Sequence, residues 1–208
     1  MGKKEFNYDV YEETKSDSFN ISANIIIKLI IAVVFIAVSW IVIADYNKLI
    51  TYNEEVKEAY AQVQSNIQRK ADLLPNLVKV VKAYTKHETQ LLQNITKLRA
   101  EANKDIQSIQ KLSQLNKSLN NSTLKLFSLV ENYPDLKSSQ QYQQLLSQIE
   151  GADNRINITR MQYNSAVKKL NASTKVFPSN IIASIAGVTE KPYFQADENA
   201  QKLLELEI

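Results

Sequence analysis

The 208-residue chain contains no cysteine, one histidine, three glycines and four prolines. The missing cysteines exclude disulfides, thiol nucleophiles, zinc fingers and iron–sulfur clusters. A fold of many short strands needs frequent turn formers, so scarce Gly and Pro point to long helices. A lone His87 denies a zinc site its usual second imidazole. There is no Gly-rich phosphate loop, no acidic run with EF-hand spacing, and no serine in an elbow motif. Charge is nearly balanced, with 25 Lys and Arg against 22 Asp and Glu and a net of +3. No basic patch is interleaved with aromatics, so nucleic acid is not an expected partner. The composition therefore predicts a protein that is not an enzyme and takes no cofactor or metal.

What the chain does have is one long apolar run. Ile25 to Ala44 holds 20 residues with Lys28 as its only charge. At about 1.5 Å per residue, such a helix matches a hydrocarbon core of roughly 30 Å. Trp40 and Tyr46 lie toward the far end, where amphipathic rings favour the interface, and Lys28 can snorkel at the near end. Ala37 and Ser39 leave a cleaved signal peptide as the alternative, although the run exceeds the 7–15 residues typical of an h-region. The reading favoured is a single-pass anchor, with the lipid bilayer as a partner. Lys3, Lys4 and Lys15 precede it, whereas Lys48 and Lys57 follow. That basic bias puts the N-terminus in the cytoplasm and the main domain outside.

Beyond the run, apolar residues alternate at spacings of three and four. Tyr46, Leu49, Asn53, Val56, Tyr60, Val63 and Ile67 form one such stripe. Leu77, Val81, Tyr84, Glu88, Leu91, Ile95, Leu98 and Ala102 form a second, and Tyr142 to Leu170 a further one. This spacing keeps one face toward partner helices, as in coiled coils and bundles. Pro75 would clash inside a helix but suits a first turn, with Asp72 as N-cap. "ADLLPNL" therefore reads as a sharp corner between two antiparallel helices, and "ENYPDLKS" as a second corner. The expected fold is all-α: a mobile arm (1–24), a transmembrane helix (25–44), and an antiparallel four-helix bundle (45–177) that continues the membrane helix. A tail (178–208) is expected to pack on the bundle end.

Glu88 and Asn53 fall on apolar stripes, and folding at the Pro75 corner would bring them within about one turn. Arg155 and Arg160 flank the fourth helix and would complete a buried polar layer, because an unpaired buried carboxylate is costly. Such a layer would set helix register or sense a ligand; the plainer reading is a partly exposed ion pair. Lys79, Lys82 and Lys86 form a basic row, either solvated surface or a face for anionic lipid or an acidic neighbour. Ile181, Ile182, Ile185, Tyr193 and Phe194 make the tail too apolar for a free linker, and with the basic row they form the candidate interaction surface.

The order "DYNKLI", "NIQRKADLLPNLVKVVKAYTKHE", "LVENYPDLKSSQQYQQLLSQIEGADNRINITRMQYNSAVKKLN", "FPSNIIA" and "KPYF" resembles the bacterial LemA family from Tyr46 to Phe194. The resemblance implies a bacterial membrane protein with one N-terminal anchor and a four-helix bundle. It also implies kinship with a magnetosome protein implicated in forming or shaping an internal membrane. The arm before the anchor is longer than is common in the family. The expected function is a non-enzymatic scaffold that forms a homo-oligomer and organises or shapes the membrane. The alternative is a tethered adaptor whose partner is a membrane protease or sensor kinase.

Overall fold

The computed structural model describes residues 23–84 and 89–195. Every regular element among them is helical: α1 (Ala23–Lys82), α2 (Thr89–Ala102), α3 (Ile109–Val130), α4 (Pro134–Lys137), α5 (Gln140–Ser173) and α6 (Ser179–Ala186). The chain divides into two compact units, one ending at Ala44 and one beginning at Asp45.

In the first unit the apolar run lies on α1 with its side chains exposed, Phe35 at 73% and Trp40 at 76%. Ser39, its one hydroxyl residue, donates to the Phe35 carbonyl at 2.8 Å. That bond to the preceding turn satisfies the hydroxyl's donor without water. Among the described residues, α1 is the one helix long and apolar enough to cross a membrane.

In the second unit, polar pairs fix the directions of the helices. Asp72 meets Arg99, and Gln68 meets Asn103, so α2 descends as α1 ascends. Tyr60 donates to the Ile106 carbonyl and Lys70 to Asn120, so α3 ascends again. Lys169 meets Glu55 and Lys70 meets Asp153, so α5 descends. The result is an antiparallel bundle of α1, α2, α3 and α5. One core joins Val63, Ile67, Leu74 and Leu77 to Leu112, Leu119, Ile149, Ile156 and Val167. Ser108 and Ser139 cap α3 and α5 through their hydroxyls. Pro134 opens the short α4 at the reversal between them.

The Pro75 corner does not exist. Pro75 sits inside α1, which runs on to Lys82, and Asp72 is an ion-pair partner rather than a cap. Leu74, Leu77 and Val81 are each almost wholly buried. Burial of such side chains is worth about 1.5–3 kcal/mol apiece, enough to outweigh a proline's cost of about 3 kcal/mol. α1 ends instead at Lys82, and a turn begins at Ala83 and Tyr84. Tyr84 is consequently in a turn and exposed, not on a core stripe, and Tyr46 is exposed as well. Pro75→Ala restores a helical donor and removes the clash. Against that gain of about 3 kcal/mol stand a looser unfolded chain, about 0.4–1 kcal/mol, and a trimmed half-buried ring. The variant should be about 1–2 kcal/mol more stable. Denaturant unfolding of the full chain in detergent measures this, and a loss of stability would contradict it.

After α6, Gly187 adopts a left-handed φ of 68° while the Val188 amide bonds back to Ala183 at 2.9 Å. The chain turns there and runs as an extended strap along α5. Asn171 exchanges two hydrogen bonds with the backbone of Lys191, donor to carbonyl and amide to oxygen, both at 2.9 Å. Asn164 does the same with Phe194, at 3.0 and 2.8 Å. The spacings agree, because seven helical residues and three extended ones each cover about 10 Å.

Tyr163 donates to the Pro192 carbonyl between those two clamps, at 2.9 Å, and meets Tyr60 edge-on at 6.2 Å. Burial, reinforced by Tyr60, pushes the Tyr163 phenol up to about 12. A raised phenol contributes stability that is intact below the unfolded value near 10 and is lost as pH climbs toward 12. Alkaline unfolding should therefore begin above about pH 10 and draw on the order of 2 kcal/mol from Tyr163. Tyr163→Phe should flatten that slope while losing about 1 kcal/mol near neutrality. Denaturant melts across the alkaline range, with tyrosinate absorbance followed alongside, test both effects.

Candidate functional site: a buried ammonium among three helices

Continuing the α1 stripe past Ile67 at the same spacing gives Lys70, Leu74, Leu77 and Val81. Lys70 accordingly points into the core and is only 1% exposed. Its Nζ donates to Asn120 Oδ1 on α3 at 2.6 Å and to Asp153 Oδ1 on α5 at 2.5 Å. Burial pushes the ammonium below its ordinary pKa, opposed by the hydrogen bond and charge of Asp153. A lowered lysine pKa means that burying the charge costs stability, a cost relieved as pH rises through the folded value. Asp153 keeps 40% of its side chain exposed, so the pair has one dry end and one wet end.

The pair lies in the wall of a cavity of about 260 Å³ between α3 and α5. Asn116, Asn120, Thr123, Asn157 and Arg160 supply polar lining; Leu124, Phe127 and Ile156 supply the apolar part. The Asn116 Oδ1 is buried without a hydrogen-bond partner among the described residues. An acceptor in that position is suited to water or another small donor. Lys70 is held by two oxygen acceptors in its ionised form, which suits an anchor of charge and not a nucleophile. Among the described residues no group of three or more metal-ligating side chains comes together.

The four residues expected to form a polar layer are placed differently from one another. Asn53 is half-buried, about 25 Å along α1 from Lys70. Arg155 is exposed on α5. Arg160 is half-buried at the cavity rim, donates to the Gln195 carbonyl at 3.1 Å and stacks over the Phe194 ring at 4.5 Å. It thereby ties the strap to the cavity. Glu88 lies outside the described residues, as does Lys86. Lys79 and Lys82 are exposed in the last turn of α1. In the tail, Ile182 and Phe194 are buried, whereas Ile181, Ile185 and Tyr193 are exposed.

A model of the LemA family matches residues 59–207, which include Lys70, the cavity and the strap. This chain belongs to the LemA family. Similar curated proteins include magnetosome proteins MamQ 1 and MamQ 2 of Paramagnetospirillum magneticum. Each is 24% identical over 200 residues, covering 84% of this chain and 72% of the relative. Protein LemA of Metamycoplasma hominis is 26% identical over 153 residues, covering 73% of this chain and 69% of its own. None of these names denotes an enzyme. The MamQ names tie those relatives to magnetosomes.

Proposed function

We propose that this chain is a membrane-anchored helical scaffold that associates with copies of itself and organises or shapes the bilayer around it. The observation that carries the anchoring is the run Ile25–Ala44, apolar but for Lys28 and Ser39, with its large apolar side chains exposed throughout. Water would not support so large a contiguous apolar surface, whereas lipid would. The magnetosome relatives support an organising role. For self-association the bundle offers Leu124 on α3 with Ile158 and Met161 on α5, large apolar side chains left exposed. Confinement of the anchors to a plane raises their effective concentration, so weak lateral contacts accumulate.

Imaging and sedimentation of the full chain, in mild detergent and in liposomes, test the proposal. Particles of many copies, and deformed liposomes, are the expected result. A monomer at every concentration would overturn the scaffold reading and leave an adaptor for a membrane-protein partner in its place.

A further inference from the structure

We propose that the exposed flank of α6, with the Val176–Phe177 turn before it, is a lipid-contact surface that lies in the bilayer interface. The inference rests on the anchoring reading above and adds a second, peripheral membrane contact made by the folded domain.

The residues of α6 divide into three faces. Ser179, Ile182 and Ala183 are buried. They point to the start of the second unit: Ile182 and Ala183 pack with Leu49, and the Ser179 hydroxyl donates to Asp45 at 3.2 Å. Asn180 and Ser184 form an exposed polar flank. Ile181 and Ile185, one turn apart, form an exposed apolar one, at 53% and 83%. Phe177 at 78% and Val176 add to it. A helix this short would normally turn such side chains inward; here the inward face is already taken.

The choice of lipid over another occupant follows from where α6 is fastened. Asp45 is the residue after the apolar run, and Leu49 is four residues on, about one helical turn. With Ile25–Ala44 in the hydrocarbon core, the contacts that hold α6 belong to the first turn outside it. Apolar side chains at that depth meet the boundary between headgroups and acyl chains, where amphipathic helices bury one face. Lys48, exposed three residues after Asp45 on α1, adds a cation for anionic headgroups, whereas exposed Lys175 is paired with Glu190 at 3.0 Å. The polar flank of Asn180 and Ser184 would face water or headgroups.

The absence of native cysteine allows a direct test on the full chain in vesicles of phosphatidylcholine and phosphatidylglycerol. Single variants Ile181→Cys and Ile185→Cys carry an environment-sensitive fluorophore, with Gln148→Cys as an exposed bundle site away from Leu124, Ile158 and Met161, and Phe35→Cys as the anchor site. Nitroxide lipids spin-labelled near the headgroup should quench the 181 and 185 labels at least about threefold more than the 148 label, with iodide showing the reverse order. If Phe35 is quenched by lipid while 185 behaves like 148, the interfacial surface is overturned and the anchor survives. If Phe35 itself escapes the lipid quencher, the anchoring reading fails and takes this proposal with it. Shielding of 185 from both quenchers, with energy transfer between labelled copies that vanishes on dilution in lipid, would assign the patch to a second copy and overturn the lipid contact.

Discussion

Asp153→Ala should destabilise the bundle by about 3 kcal/mol, while Lys70→Met should leave it within about 1 kcal/mol of the parent. The asymmetry follows from the burial. Lys70 is 1% exposed, so removing Asp153 strands an ammonium whose remaining oxygen partner is Asn120. Loss of one partner of a buried pair costs about 3–5 kcal/mol, and the low end applies because Asp153 is itself partly solvated. Methionine, unbranched and apolar, fills the same channel and leaves Asp153 with access to water. In the Lys70→Met background the Asp153→Ala penalty should fall below about 1 kcal/mol, which a double-mutant cycle measures. A pH arm adds a second readout. The deficit of Asp153→Ala should shrink as pH rises through the lowered pKa of Lys70 toward the ordinary lysine range, because a neutral amine no longer needs the carboxylate. Equal penalties for the two single variants, independent of pH, would show that the charge of Lys70 is not what Asp153 compensates.

One residue accounts for most of what the sequence concealed. The helical class, the long apolar run and the stripes on α1 and α5 were legible, the run from its unbroken apolarity and the stripes because 3/4 spacing reports a buried face directly. Pro75 then suggested a corner, and the α1 stripe was cut at Ile67. Carried across the proline, the same spacing selects Lys70, so one local rule hid both the length of α1 and the buried charge. The rule failed because proline's cost is local while the burial of Leu74, Leu77 and Val81 is tertiary. The strap was concealed for a different reason. Asn157, Asn164 and Asn171 recur at seven-residue intervals beside the α5 stripe. An asparagine next to a core face reads as solvated surface until an extended segment lies along it. That heptad of carboxamides was the available signal.

The clamped strap gives the second large effect. Asn164→Ala together with Asn171→Ala should cost about 2–4 kcal/mol, since each removes a donor and an acceptor from partly buried backbone groups. Phe194, 4% exposed and stacked under Arg160, has no other described side chain bonding its amide and carbonyl. Its release would expose core apolar surface and slacken the cavity rim at Arg160. The loss should be local first: amide exchange in residues 188–195 should accelerate by about a hundredfold or more, before protection in α1 or α5 changes. Asn164→Asp provides the sharper probe. It keeps the acceptor for the Phe194 amide but sets a carboxylate oxygen against the Phe194 carbonyl in place of the donor. A carboxamide acting as a two-way clamp predicts that aspartate performs no better than alanine, despite its matching shape. Aspartate restoring most of the stability, or exchange in the strap unchanged by the double substitution, would mean that the strap is held by the burial of Phe194 alone.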